Sequence, residues 1–523
     1  MNLKELEINF KKNTFKNEDD IKLHFHSDIV KPLLEELNPE MIGLYYSENV
    51  LKAGGRTDAT FQNISFEFKK EGYFDKESGI SEAVNGRNDE DHGLYDYILS
   101  NAEIGDSDTI DIIEKKIMAG IGVGFDGKKF IFTRFVPSPL KQVINTSKVK
   151  VNIKEPLNLV FVCEEKDFST GLKRLSLLIK QTDKMTLSKQ MLCEVLSPKQ
   201  EYVRKSITVV YENLLYYTSP EGNFNNRVKT LYAEWDRVFG VMYGEDDSAT
   251  DFTEVSSKIR EMYGISESEN IDSKKYLFAM QTFFNIFLKL LVYSFLAQLV
   301  DPTFSVKQEF TKNEINRLFS GDTDNSCKLV DNFFETHFLE WFRFTVNRTD
   351  RNNSFDVLLI NQTLKVIDKF DLSTFVLRPE NVQDILQEVY MELIPKEMRH
   401  LMGEYFSPDW IVEHALDMVG YTGDIEKKII DPTAGSGPFL TQSIKRIIER
   451  QGGNLSKDNL VKITQNVVGF DINPISVVAA KANYILIMFS AYFDNCDEEF
   501  GAPVSIPVFI ADSILAPVVY TEE

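Results

Sequence analysis

Asp58, Glu67 and Lys69 have the types and spacing that metal-assisted phosphodiester hydrolysis requires. They lie in the run Gly54-Gly-Arg-Thr-Asp-Ala-Thr-Phe-Gln-Asn-Ile-Ser-Phe-Glu-Phe-Lys69. With Gln62-Asn63 as the tip of a hairpin, Phe61 pairs with Ile64, Thr60 with Ser65, Ala59 with Phe66 and Asp58 with Glu67. Opposed residues share a face, and a residue two positions on shares it too, so both carboxylates and Lys69 project from one side. Opposed carboxylates repel unless a cation lies between them. Mg2+ takes one or two such carboxylates and completes its shell with water and phosphate oxygens. A neighbouring lysine can orient water or stabilise charge on the phosphate in transit. Asp58 and Glu67 are therefore the candidate metal ligands, and with Lys69 they form the candidate catalytic set. An exposed hairpin with alternating charges would show the same pattern, and Gln-Asn is a weak turn dipeptide.

A second set lies near the other end. Asp431, Asp471 and Asp512 each follow a short apolar run that reads as a strand. Ligands of open α/β sheets bind beyond the carboxyl ends of the strands, where these acids fall. Within Asp431-Pro-Thr-Ala-Gly-Ser-Gly-Pro-Phe-Leu440, Gly435 and Gly437 permit a tight turn and close approach of backbone to a ligand. Pro438 suits the first position of the following helix. Asp471 can accept hydrogen bonds from both hydroxyls of a ribose, and Asp512 falls near where an adenine ring would lie. The turn lacks the third glycine of the dinucleotide fingerprint and the Gly-Lys-Ser/Thr of a P-loop.

Three zones position these residues. In the first, 1–195, Asn17 caps a helix predicted from Glu18 to Leu37 and kinked at Pro32, with Ile21, Phe25, Ile29, Leu33 and Leu37 as its buried stripe. Strands predicted at Gly120–Phe125 and Lys129–Phe135 flank Asp126-Gly127, a hairpin signal, and Leu157–Cys163 reads as another strand. Glu18 reads either as a solvated helix start or as an accessory acid; His24 and His26 fall on different helix faces and read as packing or surface residues. The second zone, 196–395, is helical and rich in aromatic residues, with apolar-periodic stretches at Tyr276–Leu299 and Val330–Phe344 and no cluster that carries chemistry. The third, 396–523, alternates helix Pro408–Val419, strand Lys428–Ile430, helix Pro438–Gln451, strand Asn466–Phe470, helix Pro474–Phe493 and strand Pro507–Ala511. Such βαβαβ order implies a parallel sheet covered by helices.

At 523 residues the chain exceeds a single core. Its net charge of −22 repels DNA at long range, so any DNA binding must use local basic patches. Cys163, Cys193, Cys327 and Cys496 are scattered without a CxxC pair, which fits a reducing compartment and gives no zinc site. The N-terminus lacks the apolar core of a signal peptide. Tyr276 to Val300 is long enough to span a bilayer, but Lys289 near its middle would cost about 3 kcal/mol on insertion. With Gln281, Asn285 and Gln298 also present, the stretch reads as a buried helix of a soluble domain, and no membrane partner is expected.

The order Gly403-Glu-Tyr-Phe-Ser-Pro408, Asp431–Leu440, Gly469-Phe-Asp-Ile-Asn-Pro474 resembles the N6-adenine DNA methyltransferases in which the motif for the methionine end precedes the glycine-rich motif. The resemblance implies S-adenosyl-L-methionine as cofactor. Tyr405, Phe406 and Pro408 would border its methionine moiety. Asp431, Pro432 and the turn Thr433, Ala434, Gly435, Ser436 and Gly437 would hold the amino and carboxylate groups. Asp471 would take the ribose, Ile472 would pack on adenine and Asp512 would read the adenine amino group. The family's Asn-Pro-Pro-aromatic motif does not follow Asp512. The hairpin resembles the PD-(D/E)xK nuclease core. The whole order resembles type IIG and type I single-polypeptide restriction–modification enzymes, defence enzymes of the bacterial or archaeal cytoplasm. This implies a multidomain α/β protein: a PD-(D/E)xK-like mixed α/β nuclease at 1–195, a helical connector at 196–395, and at 396–523 the first, cofactor-binding part of a Rossmann-like, doubly wound methyltransferase. It also implies Mg2+ and double-stranded DNA, with a missing C-terminal half or a specificity subunit presenting the adenine. The isolated chain is then expected to bind cofactor without transferring methyl. An adenine methyltransferase with an inactive nuclease domain, and a non-catalytic DNA-binding scaffold of a split enzyme, are the alternatives.

Overall fold

The computed structural model describes residues 3–50, 56–87, 91–142, 156–181, 184–220, 225–243, 249–266, 268–304, 309–320, 329–334, 338–345, 354–377, 385–394, 396–401, 407–496 and 502–514. Two compact units divide the chain, Met1–Lys184 and Met185–Glu523.

The first unit is built on a six-stranded mixed sheet of β1 (Tyr45–Val50), β2 (Arg56–Phe61), β3 (Ile64–Phe68), β4 (Ile121–Phe125), β5 (Lys129–Gln142) and β6 (Leu157–Asp167), in that order. Neighbours are antiparallel except β3 and β4, which are parallel and joined through helices Glu77–Asn85, Leu94–Asn101 and Ile110–Ala119. The predicted β2–β3 register is observed for Phe61 with Ile64, Thr60 with Ser65 and Ala59 with Phe66, and the ladder stops before the predicted Asp58–Glu67 pair. Gln62 makes the turn by entering the left-handed region at φ 52°. Asn63 anchors the tip, its amide donating to the Ala119 carbonyl at 2.6 Å.

The N-terminal helix starts where expected, Asn17 Oδ1 accepting from the Asp20 amide at 2.9 Å. It runs as helix Glu18–Phe25, a π-helical turn His26–Val30 and helix Lys31–Leu37. Pro32 explains the irregularity, since it has no N–H to give the preceding turn and its ring crowds the carbonyl there. The apolar stripe is buried from Ile21 to Leu33. Phe25 reaches the far face of the hairpin, its ring 5.8 Å from Phe66, 5.2 Å from Phe68 and 4.9 Å from Phe125. This aromatic layer fixes which face β3 turns to the core, so Glu67 and Lys69 take the other.

The second unit is largely helical and includes a small parallel sheet in the order β11 (Val508–Ile510), β10 (Val467–Asp471), β9 (Ile429–Asp431). A two-stranded parallel pair, β7 (Met185–Thr186) with β8 (Phe370–Asp371), lies elsewhere in it. Helices Pro438–Arg450 and Lys457–Asn466 join β9 to β10, and helix Pro474–Tyr492 begins the connection from β10 to β11. Lys457–Asn466 is an addition to the predicted βαβαβ order; its capping box uses Asn459, where the usual signature has Glu or Gln.

Among the described residues two helical stretches, Ser273–Val300 and Pro474–Asn495, are long and apolar enough to cross a membrane, and 94% and 78% of their apolar windows are buried in the fold. Every residue from Tyr276 to Leu299 is buried. Lys289 is neutralised there by Glu340, which also accepts from Arg343 Nη1 at 3.1 Å. The stretch Val330–Phe344 differs from its helical periodicity. Val330 bridges Val504, and Asn332 exchanges two hydrogen bonds with the Ile506 backbone. A 3-10 helix then covers Phe338–Phe344. Backbone groups that would have closed helical turns are used instead against 504–506.

Candidate functional sites

In the first unit the hairpin is buried, in contrast to the exposed alternative: Glu67 and Lys69 are each 6% exposed. Asp58 Oδ2 accepts the Phe68 amide at 2.7 Å, which ties the end of β2 to the end of β3. Glu67 Oε1 accepts from Lys69 Nζ at 2.7 Å and Glu67 Oε2 from the Tyr97 hydroxyl at 3.0 Å. Burial, with the charge of Asp58 adding to it, pushes the Glu67 carboxyl up to about 8. Burial raises Asp58 as well, against the Phe68 amide, Lys22 and Lys69. Burial works to lower Lys69, but the carboxylates of Glu67, Glu18 and Glu82 outweigh it and hold the ammonium protonated.

Tyr97 and Glu82 carry no sequence signal of this role. Tyr97 comes from helix Leu94–Asn101 and Glu82 from helix Glu77–Asn85. Glu82 lies 3.8 Å from Lys69 Nζ, accepts from the Tyr73 hydroxyl at 2.8 Å and pairs with Arg87. Glu18 contributes its field to Lys69 from the capped helix start. His26 stacks on Tyr45 with ring centroids 4.7 Å apart, and His24 Nδ1 lies 3.0 Å from Asp28. Among the described residues no group of three or more His, Cys, Asp or Glu could hold a metal ion. The Asp58–Glu67 pair nevertheless suits Mg2+, which asks for one or two carboxylates. Each carboxyl is raised in the bare protein, the condition a divalent cation relieves.

In the second unit the acids stand at the carboxyl ends of neighbouring strands, Asp431 closing β9 and Asp471 closing β10. Asp431 Oδ1 accepts the Thr433 amide at 3.1 Å, while its buried Oδ2 has no hydrogen-bond partner. Such an orphaned carboxylate oxygen is costly unless a ligand donor reaches it. Asp471 accepts the Gly435 amide at 2.7 Å and the Asn473 amide at 2.8 Å, one on each oxygen. Each of these oxygens keeps a lone pair for a further donor. Burial raises both carboxyls, and the charge of Asp471 raises Asp431 further. Two acids held up in this way favour a ligand that carries positive charge.

The intervening turn is left-handed at Gly435 (φ 54°) and Gly437 (φ 85°). A Cβ added at Gly435 would meet nothing within 4 Å, whereas one at Gly437 would stand 3.2 Å from the Ala480 Cβ. Pro432 and Thr433 are exposed, Ala434 and Ser436 buried, and Ile472 half-buried. Pro408 caps helix Asp409–Met418. Asp512, half-buried just past β11, accepts the Ile514 amide at 2.9 Å. Tyr405 and Phe406 lie outside the described residues. Sequence reasoning missed Gln387 and Asn483, which hold Ser436: its hydroxyl donates to Gln387 Oε1 at 3.1 Å, and its carbonyl accepts from Asn483 Nδ2 at 2.9 Å. An asparagine inside the apolar helix Pro474–Tyr492 is a visible signal; Gln387 has none.

Residues 381–492 match the family model described as N-6 DNA Methylase, so that stretch carries an N-6 DNA methylase domain. The match starts upstream of the boundary expected at 396 and takes in helix Ile385–Leu393. A solved structure described as a cryoEM structure of a DrdV–DNA complex aligns with a TM-score of 0.29 and 11% identity, over 98% of this chain and 40% of that one. The chain thus spans less than half the length of that protein. No curated relative matches the sequence.

Proposed function

We propose that the second unit binds S-adenosyl-L-methionine for transfer of its methyl group to adenine N6 in DNA, and that the first unit hydrolyses DNA phosphodiesters with Mg2+, the two together serving restriction and modification. The observation that carries the methyltransferase reading is the orphaned, buried Asp431 Oδ2 beside an open left-handed glycine turn, inside the matched domain. A cationic α-amino group is the donor that oxygen lacks, and a ribose diol suits the free lone pairs of Asp471. When bound, the cofactor supplies an electrophilic methyl on sulfonium. The chain's part is to bind and orient: Asp431 and the turn at the amino-acid end, Asp471 at the ribose, with Ile472 and Asp512 at adenine. Tyr405, Phe406 and Pro408 are proposed to border the methionine.

In the first unit, Asp58 and Glu67 would hold Mg2+, which when bound supplies Lewis acidity and an activated water. Lys69 keeps its proton in this carboxylate-rich setting, so its part is to stabilise phosphate charge rather than to take a proton. The reading is supported by buried Glu67, by half-buried Asp58 close enough for its charge to raise Glu67, and by Lys69, which pairs with Glu67 and whose charge also reaches Asp58.

Calorimetric titration with S-adenosylmethionine tests the first half. Saturable binding that Asp431→Asn weakens by about tenfold or more is expected, since a charge-assisted hydrogen bond is lost. A wild-type protein that binds no S-adenosylmethionine overturns the reading. Cleavage of double-stranded DNA with Mg2+ tests the second half, Lys69→Met being expected to abolish it while leaving cation binding in place.

A further inference from the structure

The helical zone ahead of the methyltransferase motifs reads in sequence as a spacer. Its last described long helix contradicts that. Gln387 sits on helix Ile385–Leu393 with its side chain 8% exposed, and its Oε1 accepts the hydroxyl of Ser436, itself 5% exposed, at 3.1 Å. Ser436 stands between the two left-handed glycines of the cofactor turn. Its carbonyl is held from the other side by Asn483 at 2.9 Å. The helix that carries Gln387 is itself seated firmly. It packs on helix Lys189–Leu196 and helix Pro474–Tyr492. Tyr390 meets Phe284 at 5.5 Å, and Glu392 accepts from Ser197 at 3.0 Å.

We infer that Gln387 is a positioning residue for the cofactor, setting through Ser436 the path of the turn that receives the amino-acid end of S-adenosylmethionine. The inference rests on the cofactor reading above. Glycine at positions 435 and 437 lets the backbone adopt its path but does not select it, because glycine populates many conformations at similar energy. The selection comes from side chains on either flank. Asn483 fixes the Ser436 carbonyl and Gln387 its hydroxyl, and with the Gly435 amide donating to Asp471 and the Gly437 amide to the Ala434 carbonyl the path of the turn is set before the ligand arrives. Pre-set geometry spares ligand binding the entropy of ordering the loop. The consequence is graded: Gln387 acts first on the amino-acid end of the ligand and reaches the ribose end, assigned to Asp471, only through the Gly435 amide that Asp471 accepts.

Calorimetry with two probes separates this from a general structural role. S-adenosylhomocysteine carries the amino-acid end, and 5′-methylthioadenosine has the same nucleoside and thioether without it. Gln387→Leu, close in size but unable to accept, is expected to weaken S-adenosylhomocysteine by about tenfold, the scale of a buried hydroxyl left unpaired. 5′-methylthioadenosine should lose at most a small fraction of that, through the single Gly435–Asp471 contact. Gln387→Glu retains an acceptor at the same reach and should recover most of the loss. Ser436→Ala in the Gln387→Leu background should add nothing, because both changes remove one interaction. Equal affinities of wild type and Gln387→Leu for S-adenosylhomocysteine overturn the inference. Parallel loss of both probes overturns it too, since that marks damage to the fold; the melting temperature and the Glu variant identify that case. A wild-type protein that binds neither probe instead refutes the cofactor reading.

Discussion

Glu67 is where burial and charge meet most sharply. Its carboxyl is pushed up to about 8 by burial and by Asp58, while Lys69 and Tyr97 favour the ionised form. A cation binds only that ionised form. Below about 8 a proton therefore competes with the metal, and affinity should rise as pH climbs through this value and level off above it. Titration with Mn2+ as the probe, on either side of that pH, checks the sign; affinity that falls with rising pH removes Glu67 as the ligand. Glu67→Gln should bind no cation at the hairpin at any pH. The Tyr97 hydroxyl donates to Glu67 at 3.0 Å and so stabilises the charged form. Tyr97→Phe should raise the Glu67 pKa further and weaken cation binding near neutral pH by roughly three- to tenfold, the cost of a charge-assisted hydrogen bond. The difference from wild type should shrink at high pH, which a mere packing defect would not produce.

At the scale of elements, the turn between β9 and its following helix separates conformational from spatial demands on glycine. Gly437 is left-handed and its Cβ position lies 3.2 Å from Ala480, so Gly437→Ala meets both strain and crowding. A loss of about 1–2 kcal/mol is expected in denaturant unfolding. Gly435 is left-handed with open space before it, so Gly435→Ala should destabilise less and mainly block the ligand. If both variants lose stability equally and keep cofactor affinity, the space before Gly435 is not a binding site. The elements that hold this turn were partly legible. The strand–helix alternation could be read because the parallel strands are short apolar runs followed by acids, although Ile430, Phe509 and Ile510 on the two edge strands are exposed, and Pro438 and Pro474 mark helix starts. The hairpin register could be read because side chains alternate strictly along a strand. What could not be read arrives from distant elements. Tyr97, Glu82 and Gln387 reach their partners through packing of helices far off in sequence, and no local periodicity encodes that. Val330–Phe344 misled for a related reason, its apolar spacing being helical while Asn332 spends its bonds on the Ile506 backbone.

The whole molecule places its two candidate sites in separate compact units, and its tryptophans give a way to address one of them. Trp235, Trp341 and Trp410 all fall in the second unit, with the first two fully buried, whereas Met1–Lys184 contains none. Unfolding followed by tryptophan fluorescence therefore reports the unit that carries the N-6 DNA methylase domain. A ligand that binds only the folded form stabilises it by mass action, about 2.7 kcal/mol at a hundred times its Kd. S-adenosylmethionine at such an excess should move the fluorescence transition to higher denaturant by that amount, and for Asp431→Asn at the same concentration a tenfold weaker Kd should cut the shift to about 1.4 kcal/mol or less. Mg2+, proposed to be held by Asp58 and Glu67, should leave the same transition where it was. It should instead protect β3 amides from hydrogen exchange, because the cation ties the ends of β2 and β3 together at the Asp58–Phe68 contact. A net charge of −22 opposes DNA at long range, so DNA binding should weaken steeply with salt only to the extent that local basic groups meet phosphates. A fluorescence transition that ignores S-adenosylmethionine but responds to Mg2+ would invert the assignment of the two sites, because each ligand would then be stabilising the unit that the geometry gives to the other.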